Sequence, residues 1–382
     1  MDQKSELDRL VNELNSSEPR RDQHATRLAE WLAILCSQGG SDLYLVAGLP
    51  PSIRVHGVIH RLVEPVVDGD DIEESVLPVL RPHAVDSYRT KGHADASLRG
   101  ESGGRFRVNL HRERGRAAAT IRALPLRPPQ LAELGLPSGI EALTRLPYGL
   151  VLIGGPTGSG KSTTVAALVE TINRRDAKHI VTIEDPIEYE HPHQRSVVEQ
   201  VEIGVDAPDF PTALRSAVRQ SPDVIVVGEM RDPEAMRIAL AAGETGHLVF
   251  STLHTGDVAS TLSRVSDAFP AERQPTIRQE LSMALGAVMT QILLPKRGGG
   301  RIPAAELLVV GYGARQHIRK NALQHLHQEI TMTRKDGSFT LEESLSQLVR
   351  RGLLDVEEAR ARSIHRDELD GLLSVTGERT GP

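Results

Sequence analysis

Features that would indicate several other classes of protein are scarce in this sequence. Cys36 is the only cysteine among 382 residues, so one chain has neither an internal disulfide nor a multi-cysteine zinc site. Aromatic residues make up 3% of the chain, and its formal net charge is −6. Because broad nucleic-acid surfaces need a basic excess and stacking rings, the composition argues against direct nucleic-acid binding.

Long apolar segments are also missing. No apolar run is long enough to cross a bilayer, and the N-terminal MDQKSELDRL is charged where a signal peptide is apolar. The single cysteine also suits a reducing compartment. We therefore expect a cytoplasmic protein, and the length allows two or three domains with their own cores.

The most informative stretch is LVLIGGPTGSGKST, residues 150–163, in which an apolar run leads into glycines and a lysine. It satisfies the G-x-x-x-x-G-K-[ST] pattern of a phosphate loop, whose glycines let backbone N–H groups form a nest around phosphates. We expect Lys161 to reach the β- and γ-phosphates of ATP and the Ser162 hydroxyl to coordinate Mg²⁺. The predicted nucleotide-binding residues are Gly155, Pro156, Thr157, Gly158, Ser159, Gly160, Lys161, Ser162 and Thr163.

Two further apolar strands end in residues suited to hydrolysis. VIVVGE, residues 224–229, ends in a carboxylate, and we assign Glu229 to Mg²⁺, directly or through water. HLVFSTLH carries His247 and His254 at opposite ends, about 23 Å apart on an extended strand, so they do not share a metal. His254, at the carboxyl end, is placed to meet the γ-phosphate, although a lone histidine more often satisfies a local hydrogen bond.

A cluster of carboxylates, Glu184, Asp185 and Glu188, follows a strand candidate at 179–183. A solvated surface loop is the ordinary interpretation of such a cluster. Its position at the end of a strand in a phosphate-loop domain favours a functional role instead, since open α/β sheets gather functional loops there. Spacing alone does not show which carboxylate acts as a base.

A second cluster is basic and lies in the N-terminal half. It has three interpretations: a solvated face on a hairpin, a nucleic-acid surface, or arginines that contact phosphate bound by a neighbouring subunit. The scarcity of aromatic residues weakens the second interpretation. The arginines are Arg105, Arg107, Arg112, Arg114, Arg116 and Arg122.

Changes in pattern along the chain predict the domain organisation. Short alternating strands between Asp42 and Arg122 indicate a small α+β domain, with Trp31 of the preceding helix in its core. Four prolines mark a hinge, and alternating strands and helices then indicate a parallel α/β sheet. The predicted segments are a leader helix and linker at 1–24, the α+β domain at 25–123, the hinge at 124–137, the ATPase domain at 138–374 and a loose tail at 375–382.

Taken together, these motifs resemble those of the PilT-type ATPases of type IV pilus retraction, within the type II/IV secretion ATPase family. The resemblance covers roughly residues 25–365 and rests on six segments in family order. They are SDLYLVAGLPPSIRVHG, RFRVN with TIRALP, GPTGSGKST, TIEDPIEYEH, DVIVVGEMRD and TGHLVFSTLHT.

The resemblance implies a PAS-like N-terminal domain joined to a RecA-like ATPase domain, assembled as a homohexamer. It implies that Glu188 is the catalytic base, that Glu229 serves Mg²⁺ and that His254 belongs to a histidine box. Arg107 and Arg122 match arginines that approach a nucleotide from an N-terminal domain. The implied partner is an inner-membrane pilus platform protein, with the ATPase docked peripherally at the cytoplasmic face.

Two features favour retraction within this family. Pilus-assembly and type II secretion ATPases usually carry a tetracysteine zinc insert, which one cysteine cannot form, and the chain has about the length of retraction ATPases.

The sequence departs from the family pattern at two places. They are Tyr44, where histidine is usual, and the loosely matching segment at 318–330, which is tied to motor coupling. The alternatives are a pilus-assembly or type II secretion ATPase, a RecA-type nucleic-acid translocase, and a regulatory protein that binds ATP with little turnover.

Overall fold

The computed structural model describes residues 26–100 and 103–374, which belong to two compact units. The first unit ends at Leu126, and the second begins at Arg127. The leader helix and linker predicted at 1–24 and the tail predicted at 375–382 lie outside the described residues. The hinge at 124–137 and the other domain limits stay predictions.

The first unit combines helices with an antiparallel sheet. Its helices are α1 (26–37), α2 (Gly69–Val76) and α3 (Pro82–Lys91). Its strands are β1 (Asp42–Val46), β2 (Ser52–Val55), β3 (Val58–Arg61), β4 (His93–Arg99), β5 (Arg105–Glu113) and β6 (Arg116–Leu124). Across the described residues these strands pair in the order β3-β2-β1-β6-β5-β4.

Alternation along β5 shows how this unit forms its core. Phe106 and Leu110 point inward and are buried, in a cluster shared with Trp31 of α1. Trp31 is 1% exposed, as the sequence predicted for a core residue. Arg114 and Gly115 both adopt positive φ and join β5 to β6 as a tight two-residue hairpin.

The second unit is an α/β layer structure that includes the phosphate loop. Its strands are β7 (Gly149–Gly154), β8 (His179–Glu184), β9 (Val197–Glu202), β10 (Val224–Val227), β11 (Leu248–Leu253), β12 (Leu285–Pro295) and β13 (Arg301–Val309). Its helices are α4 (Lys161–Arg175), α5 (Phe210–Ala217), α6 (Pro233–Glu244), α7 (Val258–Asp267), α8 (Gln274–Ala284), α9 (Tyr312–Arg319), α10 (Leu326–Met332), α11 (Leu341–Arg350), α12 (Val356–Arg362) and α13 (Arg366–Ser374).

The strands of this unit pair in the order β13-β12-β7-β11-β10-β8-β9. All pairs are parallel except β12 with β13. Every residue of β7, β10 and β11 is buried, because hydrophobic clusters cover both faces of the sheet. The predicted fold class, a RecA-like phosphate-loop domain after a small α+β domain, is confirmed. None of the helices in the described ranges is long and apolar enough to span a membrane.

Two strands were not singled out by the sequence patterns. They are β4 at 93–99 and β9 at 197–202. Each lies at the edge of its sheet, and neither is continuously buried. Such strands are specified by pairing with a neighbour rather than by a strong local pattern.

One carboxyl group of the second unit, that of Glu306, is buried away from the water that ordinarily stabilises an ionised acid. Glu306 on β13 is 8% exposed and accepts hydrogen bonds from Val258 N at 3.3 Å and Thr290 Oγ1 at 3.4 Å. Burial, reinforced by the charges of Asp257 and Glu342, raises the pKa of Glu306 to about 7.

This shift predicts a pH-dependent stability. Between about pH 4.5 and 7 the folded protein retains a proton that the unfolded chain has lost, so stability falls as the pH rises through this window. Glu306→Gln has no carboxyl to ionise and so does not lose this stability. The free energy of unfolding of Glu306→Gln minus that of the parent should therefore increase by up to roughly 3 kcal/mol from pH 5 to pH 8. Urea unfolding at both pH values, with exposed Glu357→Gln as the control, measures it. Parallel curves for Glu306→Gln and the parent would refute the shift.

Candidate functional site

Four neighbouring parallel strands place the sequence motifs at one edge of the sheet. In spatial order, β7 leads into the phosphate loop, β11 into His254, β10 into Glu229 and β8 into the acidic cluster. The carboxyl ends of parallel strands meet at one edge of a sheet, so motifs that are about a hundred residues apart in sequence become neighbours. The structure thus forms one site from separate segments.

The phosphate loop has the backbone geometry of an anion nest. Gly155, Gly158 and Gly160 adopt positive φ values of 150°, 77° and 89°, which side chains rarely tolerate. Helix α4 begins at Lys161, so its first N–H groups and its positive dipole end face the loop. The Ser162 side chain is exposed in this first turn, where an oxygen ligand for a cation is expected.

Lys161 is buried and is held against the loop. Its Nζ donates to the carbonyl oxygens of Gly155 at 2.8 Å and Pro156 at 3.0 Å. Burial lowers the pKa of Lys161, while the charges of Glu229 and Glu188 act in the opposite direction. Both carboxylates therefore lie within electrostatic reach of this ammonium group.

His254 connects Lys161 with Glu229. Its Nδ1 lies 3.4 Å from Lys161 Nζ and 3.3 Å from the Thr157 hydroxyl oxygen, and its Nε2 lies 3.3 Å from Glu229 Oε1. When Nε2 carries a proton it can donate to Glu229, and when Nδ1 carries none its lone pair can accept from Lys161 or from Thr157. His247, just before the other end of β11, makes none of these contacts. Its Nδ1 lies 3.1 Å from the Ala242 carbonyl oxygen.

Glu229 is kept ionised by its neighbours. Its Oε2 lies 2.6 Å from a terminal guanidinium nitrogen of Arg231. Burial alone would raise the pKa of Glu229, but Arg231 and then His254 outweigh it and lower the pKa. An ionised carboxylate on a short loop beside Lys161 is a suitable oxygen ligand for a hard divalent cation.

The structure distinguishes the three carboxylates of the acidic cluster. Glu184 accepts hydrogen bonds from Thr182 Oγ1 at 2.7 Å, Gln200 Nε2 at 3.2 Å and the Glu188 amide at 3.4 Å, and burial raises its pKa. Asp185 is exposed, whereas Glu188 is half-buried and its charge acts on Lys161. Glu184 thus shapes the loop, and Glu188 is the member whose charge reaches Lys161 of the phosphate loop.

A hydroxyl pair joins this cluster to α4. Tyr189, which directly follows Glu188, places its hydroxyl oxygen 3.0 Å from Thr163 Oγ1. Gln200 on β9 donates to the Tyr189 carbonyl oxygen at 2.8 Å. Sequence reasoning missed Tyr189, Gln200 and Arg231, because their roles depend on contacts between segments and they match no functional spacing of their own.

The two predicted arginines are neighbours within the first unit. Arg107 on β5 lies directly opposite Arg122 on β6, and both side chains are exposed. Arg122 Nε donates to Asp42 Oδ1 at 2.8 Å, and a terminal nitrogen of Arg107 lies 3.9 Å from Asp95 Oδ1. Their approach to a nucleotide stays a prediction, as do the catalytic roles assigned to residues of the second unit.

The residues present suit a nucleotide with Mg²⁺. The loop offers backbone donors and an ammonium group for phosphates, and Ser162 and Glu229 offer the oxygen ligands that Mg²⁺ prefers. Within the described residues, no group of three or more His, Cys, Asp or Glu side chains comes together as a metal site. Mg²⁺ needs no such cage, since it keeps several waters and shares its remaining ligands with phosphates.

This fold and site define a P-loop nucleoside triphosphatase of the RecA-like type. The type IV pilus retraction ATPase PilT of Pseudomonas aeruginosa is 40% identical over 336 residues, which cover 88% of this chain and 98% of that protein. The family model for type II/IV secretion system proteins matches residues 119–299. The chain therefore belongs to the type II/IV secretion ATPase family, among its PilT-type members.

Two further comparisons agree with this membership. The twitching motility protein of Neisseria gonorrhoeae is 40% identical over 87% of this chain and 89% of its own length. The crystal structure of the pilus retraction motor PilT with bound ADP matches with a TM-score of 0.83 and 40% identity, covering 90% of this chain and 98% of that chain. The family resemblance inferred from the motifs is thereby confirmed.

Removing the buried ammonium group tests the nucleotide site. Lys161→Ala should weaken binding of a fluorescent ATP analogue by at least roughly tenfold, because a charge-assisted phosphate contact disappears. Lys296→Ala, an exposed lysine between β12 and β13, is the matched control and should bind as the parent does. Fluorescence titration measures both, and unchanged affinity in Lys161→Ala would contradict the assigned site.

Proposed function

We propose that this chain is an ATP-hydrolysing motor that drives retraction of type IV pili, and thereby twitching motility. The observation that carries the proposal is the 40% identity to PilT across 98% of that protein's length. Similarity of this extent reaches both units and is therefore not limited to the core that many P-loop enzymes share. It does not favour the assembly, secretion or nucleic-acid translocation alternatives.

The site geometry supports a division of labour in hydrolysis. Lys161 neutralises charge on the β- and γ-phosphates, and Glu188 orients a water molecule and accepts its proton as the water oxygen attacks the γ-phosphorus. The bond to the leaving ADP oxygen breaks in that step. Ser162 and Glu229 would hold Mg²⁺, which offsets the negative charge of the phosphates. His254 keeps Lys161 and Glu229 in fixed relation through its two ring nitrogens.

Assembly completes the proposed site. The chain acts as a homohexamer in which Arg107 and Arg122 of one copy approach the nucleotide bound by another, as arginine fingers do. The ring works in the cytoplasm, docked peripherally on an inner-membrane pilus platform protein. The family membership and the exposed, paired arginines of the first unit support this arrangement.

The base assignment is tested within the acidic cluster itself. Glu188→Gln should retain ATP binding but lower kcat by roughly a hundredfold or more, because the proton acceptor is lost. Asp185→Asn, three positions before Glu188 in the same loop, is the matched control, and its kcat should stay close to the parental value. Steady-state ATPase assays on the assembled oligomer measure both values, and single-turnover kinetics then isolates the chemical step. If Glu188→Gln hydrolyses ATP at the parental rate, another group is the base.

The direction of the motor is tested in the native host. Deletion of the gene should leave excess surface pili and abolish twitching motility, since extension continues without retraction. Complementation with the parental gene should restore motility, and complementation with Glu188→Gln should not. Loss of pili on deletion would indicate an assembly ATPase, whereas ATPase activity stimulated by DNA with a steep salt dependence would indicate a translocase.

A further inference from the structure

Gln291 contacts the phosphate loop from a strand that carries none of the recognised motifs. It lies on β12, which pairs in parallel with β7, and its side chain is 3% exposed. Its Nε2 donates to the Ser159 carbonyl oxygen at 2.5 Å, and its Oε1 accepts from Thr164 Oγ1 at 2.8 Å. One carboxamide therefore bonds both the loop and the first turn of α4.

The backbone of Gln291 lies equally close to the loop. A Cβ atom added to Gly155 would fall 2.4 Å from the Gln291 carbonyl oxygen, and one added to Gly160 would fall 3.0 Å from its Nε2. The first and last glycines of the loop thus both pack against this residue. Gln291 contacts the beginning and end of the loop, and the helix that follows it.

We propose that Gln291 is a positioning residue that holds the phosphate loop in its nucleotide-binding conformation before the nucleotide arrives. A loop with three positive-φ glycines has much conformational freedom, and ordering it during binding would weaken affinity. The hydrogen bonds from Gln291 reduce that cost in advance. The inference rests on the proposed nucleotide-hydrolysing function and adds a residue to its binding site.

Two substitutions separate positioning from bulk packing. Gln291→Met keeps a similar volume and removes both hydrogen bonds, whereas Gln291→Glu keeps an acceptor for Thr164 but turns an oxygen towards the Ser159 carbonyl. Met289→Leu is the matched control, because Met289 is buried two residues earlier on the same face of β12. Each variant is measured for ADP affinity, for KM and kcat with ATP, and for its melting temperature without nucleotide.

The inference predicts a split between binding and turnover. Gln291→Met should raise the Kd for ADP and the KM for ATP by about tenfold, since two hydrogen bonds that order the loop are lost. Its kcat at saturating ATP should stay within about twofold, because bound nucleotide orders the loop again. Met289→Leu should leave Kd and KM at parental values.

Gln291→Glu adds a measurement, the pH dependence of ADP affinity, that would not change if Gln291 had only a structural role. Its ADP affinity, relative to the parent, should be lowest at pH 8 and recover as the pH falls, since a protonated carboxyl can donate to the Ser159 carbonyl. A double-mutant cycle with Thr164→Val should also be non-additive: Thr164→Val should weaken binding in the parent and have little further effect in Gln291→Met.

The outcomes separate the two proposals. If the parental protein neither binds nor hydrolyses ATP, the proposed function fails. If the parent is active and the Gln291 variants melt lower with unchanged Kd and KM, or if the Thr164 cycle is additive, Gln291 is only a packing residue and the inference is overturned.

Discussion

The parallel register of four buried strands is the constraint on which the rest of the site depends. Gly154 pairs with Leu253, and Val227 pairs with both Ser251 and Ile183, so each motif begins within a few residues of the same edge. The Ser251 and Thr252 hydroxyls donate to the Val227 and Gly228 carbonyl oxygens at 2.7 and 2.6 Å and fix the end of β10. A slip by one residue would turn buried side chains to the other face and separate Glu229 from His254.

Opposite charges balance one another among the side chains of this site. The buried ammonium of Lys161 has backbone carbonyls on one side and two carboxylates within electrostatic reach, and His254 bridges it to Glu229. Arg231 adds a second cation on the other oxygen of Glu229. Polar groups that are already oriented in a low-dielectric region stabilise developing charge with little reorganisation, which is the usual basis of phosphoryl-transfer catalysis.

The sequence predicts those parts of the structure that are governed by local patterns. The phosphate loop, the buried strands β7, β10 and β11, and the residues at their ends follow from apolar runs and spacing. The edge strands β4 and β9 escape prediction because pairing, not pattern, defines them. Gln291 escapes because it approaches the loop from more than a hundred residues away, and the role of Glu184 escapes because it depends on tertiary hydrogen bonds and burial that spacing does not show.

The first unit presents charges in an arrangement that is unfavourable in isolation. Register places Arg54, Asp42, Arg122 and Arg107 in one row across β2, β1, β6 and β5, so this row contains three cations and one anion. Burial would raise the pKa of Asp42, but Arg122 and Ser41 outweigh it and keep the pKa low, which fixes one nitrogen of Arg122. Directly opposed like charges on a sheet repel each other, and an anion beside the row would relieve that repulsion. In the proposed ring, the phosphates of a nucleotide bound by another copy would supply such an anion, so ring assembly and nucleotide binding would favour each other.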